Sequence, residues 1–344
     1  MRALLVANPH AGGVRRASLV EVVERHLRAR GLSVTRVTSA GAAEARACLR
    51  ERLFASSRVP IAVAAGGRAA LASPSVDATA ESAGERVIVV GGDGTISSLL
   101  PVLEETRVPL GIIPAGTFNA LAGALGIPRD LPGALELAVS GRPRSIDLGY
   151  ANGRPFSQIL GVGFDGAVVH SVLPARNKRL LSPGALLRGA RLLARFRPIR
   201  ARIETEATVI EQDVWLVLVA NASRYTYCVE AAPGARLDDG WLDVWVFAAR
   251  GARLTARHVL GILRGRPMGL PGVMHLRARR AFVETDPPSF VHLDGDGGGC
   301  TPVDVRVAPG VLNVIAPIGA RCREGPSWEA TMWPSSHPPA RPRL

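Results

Sequence analysis

Residues 87–95 read V-I-V-V-G-G-D-G-T, and this stretch decides the fold. The four consecutive β-branched residues 87–90 predict a short strand buried on both faces, as in a parallel sheet. Gly91, Gly92 and Gly94 then allow a tight turn with uncovered backbone N–H groups, and Thr95 leads into a helix with one apolar face. A glycine loop at the positive end of a helix dipole predicts a phosphate-binding site.

Asp93 places a carboxylate inside this predicted anion site. A divalent cation between the carboxylate and a polyphosphate would explain it, so Mg²⁺ is the expected ion. The alternative is a solvent-facing aspartate in a glycine turn.

Two more strand–loop–helix units flank the first. Residues 3–7 lead into a loop that contains Asn8 and Gly12, and residues 109–114 lead into a loop at 115–119. Three such units predict a parallel, doubly wound sheet with ligands beyond the carboxyl ends of its strands. From Arg144 onward, alternating apolar residues predict antiparallel strands. We therefore predict an α/β domain at 1–143, a β-rich domain at 144–319, and a disordered tail at 320–344.

The composition narrows the class of protein. The 344 residues are 47% hydrophobic, without an apolar run of 18 residues, which predicts a two-domain globular protein without a signal peptide. The four cysteines are far apart, which argues against zinc or disulfides and for a cytoplasmic location. The net charge of +13 attracts anionic surfaces. Without an RNA-binding signature, zinc finger or helix-turn-helix, no nucleic-acid partner is expected.

Four short motifs stand out in the sequence: G-G-D-G-T at 91–95, N-P-H-A-G at 8–12, P-A-G-T-F-N-A-L-A at 114–122 and F-S-Q-I-L-G-V-G-F-D-G at 156–166. They resemble motifs of the diacylglycerol kinase family, the lipid kinases that include sphingosine and ceramide kinases. The resemblance implies a nucleotide domain like those of NAD kinase and phosphofructokinase, followed by a β-sandwich. It also implies ATP-dependent phosphorylation of a hydroxyl of a diacylglycerol-like or sphingoid lipid. The residues implied to bind the nucleotide are Asn8, Gly12, Gly91, Gly92, Asp93, Gly94, Thr95, Gly116, Thr117, Asn119 and Asp296. Ala120 departs from the family motif, where Asp or His is common.

Two acidic segments in the second half carry further roles by this resemblance. Residues 232–243 resemble a magnesium-binding turn, and the implied ligands are the Asp239 side chain and the carbonyls of Arg236 and Trp241. Adjacent carboxylates at 238 and 239 also favour a nearby cation by themselves, although a plain Asp-Asp-Gly hairpin is the alternative.

Residues 291–296 resemble the family's D-G-E motif, which implies that Asp294 is the catalytic base. Asp296 replaces the glutamate of that motif. We expect the nearby Asp296 charge to raise the pKa of Asp294, and the alternative is that Asp294 only caps a turn.

Other interpretations remain open. Gly161, Gly163 and Gly166 match a dinucleotide fingerprint, but no acidic residue lies between Asp165 and Glu204, so glycine packing between sheet layers is favoured. Residues 176–202 contain nine basic residues and no acidic one, which predicts either a helix on an anionic membrane or a packed helix with a solvated arginine face. An NAD-kinase-like enzyme and a non-catalytic nucleotide- or lipid-binding relative are the rival functions. ATP, a lipid substrate, a peripheral anionic membrane and a second copy in a homodimer are the expected partners.

Overall fold

A computed structural model describes residues 1–7, 14–37, 41–56, 84–172, 183–248 and 251–317. The predictions for Asn8, Gly12 and the tail at 320–344 lie outside the described residues. Among those that are described, no helix is long and apolar enough to span a membrane.

The first half of the chain alternates strands and helices. These elements are β1 (Arg2–Ala7), α1 (Val14–Ala29), β2 (Ser33–Val37), α2 (Ala42–Ser56), β3 (Glu85–Gly91), α3 (Asp93–Thr106), β4 (Leu110–Pro114), α4 (Ala120–Ala124) and α5 (Leu131–Ser140). The four strands pair in parallel in the order β2-β1-β3-β4. Their side chains alternate between a core shared with α2 and α3 and a core shared with α1 and α5. The predicted doubly wound sheet is therefore confirmed, and the loops after β3 and β4 lie at the same sheet edge.

The second half is dominated by antiparallel strands. Its elements are β5 (Arg142–Ala151), β6 (Arg154–Phe156), β7 (Ile159–Gly163), α6 (Phe164–Val172), α7 (Pro183–Arg195), β8 (Ile199–Thr205), β9 (Val209–Val214), β10 (Leu216–Ala220), β11 (Leu242–Phe247), α8 (Ala252–Leu263), β12 (Val273–Ala278), β13 (Arg280–Asp286), β14 (Phe290–Leu293), β15 (Asp296–Cys300) and β16 (Val303–Ala316). Strands β12-β11-β10-β7-β14-β15 form an antiparallel sheet. The remaining strands extend the first sheet, because β16 pairs in parallel with β4 and antiparallel with β5. The predicted β-sandwich is confirmed, while the limits drawn at 143 and 319 stay a prediction.

Two apolar layers hold the second half together. The inner faces of the two sheets share one core, formed by residues such as Leu160, Val217 and Val244 on one side and Ile203 and Val305 on the other. The outer face of the six-stranded sheet carries Trp245 and Phe247. Trp215, just before β10, joins the same apolar cluster, and residues of α7 and α8 pack on it. Antiparallel strands that bury both faces explain why this half contains so many β-branched and aromatic residues.

The glycine-rich segment 161–166 lies against the neighbouring strand β14 of the same sheet, whereas the sequence favoured glycine packing between sheet layers. A helix, α6, begins directly after Gly163. The segment is still not a dinucleotide-binding unit, since β7 pairs antiparallel with β10 and β14. A Cβ on Gly161 would lie 2.3 Å from His292 Nε2, and one on Gly166 would lie 2.0 Å from the Phe290 carbonyl oxygen. Close packing of α6 and β7 against β14 therefore accounts for these glycines.

Candidate active site

The two glycine loops of the first half touch each other at the sheet edge. A Cβ on Gly92 would lie 2.7 Å from Gly116 Cα, and one on Gly116 would lie 2.5 Å from Gly92 Cα. Any side chain at either position would force the loops apart, because real Cβ contacts are longer than 3.0 Å. The two predicted nucleotide loops therefore form one continuous backbone surface.

Asn119 fixes the second of these loops. Its Oδ1 accepts from the Gly116 N–H (2.8 Å), and its Nδ2 donates to the Gly116 carbonyl (2.9 Å). Asn119 itself has a left-handed backbone (φ 47°), which asparagine tolerates better than most residues, and it directly precedes α4. Thr117 lies exposed at the tip of the same loop. In this structure Asn119 shapes the loop rather than pointing freely into the cleft.

Asp93 links three segments at the start of α3. Its Oδ1 accepts from the Leu121 N–H (3.2 Å) at the start of α4 and from Gln158 Nε2 (3.3 Å) in the segment before β7. Gly94 is exposed next to it, and Thr95 packs beneath Gly91. The neighbouring Ala120 is 2% exposed, so the polar side chain common there in the family is replaced by buried packing.

Asp294 lies in the turn between β14 and β15 and is the centre of a hydrogen-bond cluster. Its Oδ2 accepts from the Ser157 N–H (2.7 Å) and Ser157 Oγ (3.0 Å). Its Oδ1 accepts from the N–H groups of Gln158 (2.9 Å) and Ile159 (3.1 Å). The left-handed backbone of Asp294 (φ 50°) turns its carboxylate onto this segment. The carboxylate is therefore fixed in place by four donors.

The electrostatics of Asp294 differ in cause from the sequence expectation. Burial raises the pKa of Asp294, and the hydrogen bonds from Ser157, Ile159 and Gln158 oppose part of that rise. The expected main cause was the charge of Asp296, which instead begins β15 as a partly exposed residue. A raised pKa brings a carboxylate closer to the strength that a general base needs.

Gln158 brings the two predicted carboxylates to one place. Its side-chain amide donates to Asp93, and its backbone N–H donates to Asp294. One residue therefore spans from the nucleotide loop to the predicted base. Ser157 and Gln158 were not identified from the sequence, although two polar residues between Phe156 and the buried strand β7 were a usable signal.

A second polar cluster lies beside Asp294. His292 Nε2 donates to Asp165 Oδ2 (2.6 Å), the Tyr225 hydroxyl donates to Asp165 Oδ1 (2.6 Å), and His292 Nδ1 accepts from the Gly295 N–H (3.2 Å). Burial opposes the charged form of Asp165, but His292 and Tyr225 outweigh it and lower the pKa of Asp165. The cluster anchors the turn that carries Asp294, and the sequence argument did not identify it.

The predicted magnesium turn is organised by protein groups. Asp239 Oδ1 accepts from the Trp241 N–H (3.1 Å), and its Oδ2 is paired with Arg277. Asp147, 3% exposed, accepts from the Gly240 N–H (2.7 Å) and so stabilises the same turn. Among the described residues, no cluster of three or more His, Cys, Asp or Glu side chains is arranged to hold a metal. Because Arg277 already pairs with Asp239, the residues of this turn fit an ion only in part.

The comparisons with known proteins agree with this geometry. Residues 2–151 match the diacylglycerol kinase catalytic domain, and residues 159–316 match the YegS C-terminal NAD kinase beta sandwich-like domain. The chain is 32% identical over 220 residues to a Bacillus subtilis protein named diacylglycerol kinase, covering 63% of this chain and 72% of that protein. It is 33% identical over 244 residues to a Mycobacterium tuberculosis protein of the same name, covering 68% and 77%.

A solved structure gives the same result for the fold. The crystal structure of a diacylglycerol kinase from Bacillus anthracis superimposes with a TM-score of 0.66 at 22% identity, covering 92% of this chain and 97% of that one. Both halves of the chain are thus accounted for by one family. The chain belongs to the diacylglycerol kinase family of ATP-dependent lipid kinases.

Proposed function

We propose that this kinase transfers the γ-phosphoryl group of ATP to a hydroxyl of a diacylglycerol-like or sphingoid lipid, with Asp294 as the general base. The observation that carries the proposal is the position of Gln158, which donates to both Asp93 and Asp294. Phosphoryl transfer depends mainly on positioning and on neutralising charge. A residue that bonds both the nucleotide loop and the base supports positioning of the two substrates.

The nucleotide is proposed to lie on the loops after β3 and β4. The close approach of Gly92 and Gly116 brings the two loops to one surface, and α3 starts there with its positive dipole end. Asp93 suits a magnesium ion, because its hydrogen bonds from Leu121 and Gln158 are long (3.2 and 3.3 Å) and both end on the same oxygen, Oδ1. When bound, the ion would neutralise phosphate charge.

The lipid hydroxyl is proposed to lose its proton to Asp294. The donors of Ser157, Gln158 and Ile159 hold the carboxylate in one orientation, and burial raises its pKa. The raised pKa makes the carboxylate a better proton acceptor, and the fixed orientation lowers the entropic cost of reaching the transition state. The roles of Asp296 at the nucleotide and of Asp239, Arg236 and Trp241 at a metal stay predictions, as do the homodimer and the cytoplasmic location.

The test is a radiolabelled-ATP assay of the purified chain against diacylglycerols, sphingoid bases and NAD, with and without Mg²⁺. We expect labelled lipid and no labelled NAD. Gln158→Ala removes the side-chain bond to Asp93 and keeps the backbone bond to Asp294. Loss of one hydrogen bond to a charged group costs about 1.5 kcal/mol, or about tenfold in kcat/KM.

Gln212→Ala is the matched control, since Gln212 is the other glutamine of the chain and lies on β9, at the opposite end of the first sheet. We expect this variant to keep wild-type activity. Equal activity of the two variants would contradict the bridging role of Gln158, and labelling of NAD instead of lipid would contradict the proposed substrate class.

A further inference from the structure

Helix α8 exposes an apolar patch on the side that faces away from the protein. Its residues Leu254, Val259 and Ile262 pack on the outer face of the six-stranded sheet, together with the fully buried His258. Leu260 and Leu263 lie on the opposite side and are 45% and 60% exposed. Isolated exposed leucines are common, but two that lie three apart on one helix face form a contiguous surface.

The segment after α8 adds to this patch. The Arg266 N–H donates to the Gly261 carbonyl (2.8 Å), so the chain folds back along the helix end. Met268 follows and is 50% exposed. We call the exposed side of residues 253–268 the α8 surface. Exposed apolar groups concentrated on one part of a protein indicate a site of interaction with another molecule.

Positive charge surrounds these apolar groups. No Asp or Glu occurs from residue 244 to residue 283, a stretch that contains eight arginines. The helix face that carries Leu260 also carries three arginines. They lie seven positions before this leucine, three before it and four after it, and are Arg253, Arg257 and Arg264. The structure shows no ion pair for these three within the described residues, and the carboxylate of Glu230 lies near Gly265 at the end of the helix. The α8 surface is thus apolar in the middle and cationic at its edges.

We propose that the α8 surface docks this kinase on a lipid bilayer that carries anionic headgroups. Leucine and methionine side chains enter the acyl boundary while arginines contact phosphate, as in other interfacial helices. A second copy of the chain fits less well, because a twofold contact would place the arginines of one copy against those of the other. This proposal deepens the proposed function, since it identifies how a lipid substrate is reached.

The position of the α8 surface in the fold supports this role. The loop at 224–230 connects it to the candidate active site. Glu230 packs at Gly265, the Tyr225 hydroxyl donates to Asp165, and the Tyr227 N–H donates to the carbonyl of Phe118 in the second nucleotide loop (2.9 Å). A bilayer bound at the end of α8 would therefore lie beside a loop that contacts the candidate active site.

Helix α7 offers a comparison within the same protein. It also carries arginines, and its Leu187 is 52% exposed, while Leu193 packs on the sheet as Phe196 does just beyond it. The described part of the 176–202 segment thus agrees with a packed helix that has a solvated arginine face, and residues 173–182 lie outside the description. Leu187 provides a matched control, because it has the same side chain and a similar exposure on a different helix.

The experiment is co-sedimentation of the full-length chain with vesicles of phosphatidylcholine, with or without one quarter phosphatidylglycerol. We expect binding only to the anionic vesicles, and its loss at about 1 M salt, where charges are screened within about 3 Å. The double variant Arg257→Gln/Arg264→Gln should bind roughly 25-fold more weakly, at about fivefold for each arginine. Leu260→Ser/Leu263→Ser should weaken binding roughly tenfold. Leu187→Ser should bind like the wild type.

Three outcomes would overturn the proposal. In the first, both α8 double variants bind vesicles as tightly as the wild type does. In the second, the wild type binds neutral and anionic vesicles equally. In the third, sedimentation velocity shows that the wild type is a dimer and that both double variants are monomers. Vesicle binding needs no turnover, so it is independent of the proposed reaction. Both α8 variants should phosphorylate a short-chain lipid that dissolves as a monomer as fast as the wild type does. If the wild type does not phosphorylate that lipid, the result would count against the proposed function alone.

Discussion

Replacing Ser157 by alanine should change the pH dependence of the reaction without disturbing the fold. The Ser157 hydroxyl donates to Asp294 Oδ2 (3.0 Å), and this hydrogen bond favours the charged carboxylate. Without it, the pKa of Asp294 rises further above its usual value. Because a general base works only when deprotonated, kcat falls as the pH drops through that pKa. The acidic limb of the profile should therefore move to higher pH in Ser157→Ala.

The size of the pKa shift follows from the strength of the one hydrogen bond that is removed. A hydrogen bond to a charged group is worth about 1.5 kcal/mol at the lower end of the usual range, and about 1.4 kcal/mol corresponds to one pKa unit. We therefore expect a shift of roughly one pH unit. Asp294 keeps its backbone donors at Ser157, Gln158 and Ile159, so the melting temperature should change by only about 2 °C.

The assay is kcat against pH at saturating ATP, with the lipid that the substrate panel identifies. Ser140→Ala is the control, because the Ser140 hydroxyl donates to a helix carbonyl, that of Glu136, on the exposed surface of α5. Its profile should match the wild type. An acidic limb in Ser157→Ala that stays in place or moves to lower pH would refute the assignment of Asp294 as the base.

Three further predictions follow from buried contacts. Asp294→Asn should lower kcat by roughly 10²- to 10⁴-fold and also lower the melting temperature in calorimetry, because an amide cannot accept all four donors; near-normal turnover would contradict it. Gly116→Ala should weaken ATP binding in titration calorimetry, since its Cβ would lie 2.5 Å from Gly92 Cα, whereas Gly189→Ala, with open space around it, should leave affinity unchanged. Burial lowers the pKa of His258, so the folded protein takes up a proton there less readily than the unfolded chain does. The free energy of unfolding should therefore fall as the pH drops from about 6.5 towards the folded-state pKa, by at most about 1.4 kcal/mol per pH unit. Urea unfolding at several pH values should show this loss in the wild type and not in His258→Gln.

Local sequence patterns were sufficient for the nucleotide-binding half. The β-branched run at 87–90 can form only a buried strand in this context, and glycines follow it where the backbone must turn. Strand, glycine loop and helix are adjacent in sequence, so their arrangement follows from short-range geometry. The same reasoning placed Gly92, Gly116 and Asp93 at one sheet edge, and the structure confirms that they meet there.

The surroundings of Asp294 depended on contacts between residues far apart in the chain. The sequence identified Asp294 as a candidate base through its motif, but its donors at Ser157 and Gln158 lie more than 130 positions earlier. The pairing of Asp239 with Arg277 and of Asp165 with His292 likewise joins distant segments. Periodicity and spacing carry no information about such pairs, because they are set by strand order and register.

The sequence by itself thus determined the α/β and β-sandwich halves, the glycine loops and the identity of the candidate carboxylates, since each depends on neighbouring residues. Only the tertiary structure decided that Gln158 joins Asp93 to Asp294, that burial sets the pKa of the candidate base, and that Leu260 and Leu263 stay exposed among arginines. These properties arise when separate strands and helices are packed together, because hydrogen bonding, desolvation and exposure depend on what the rest of the chain places around each side chain.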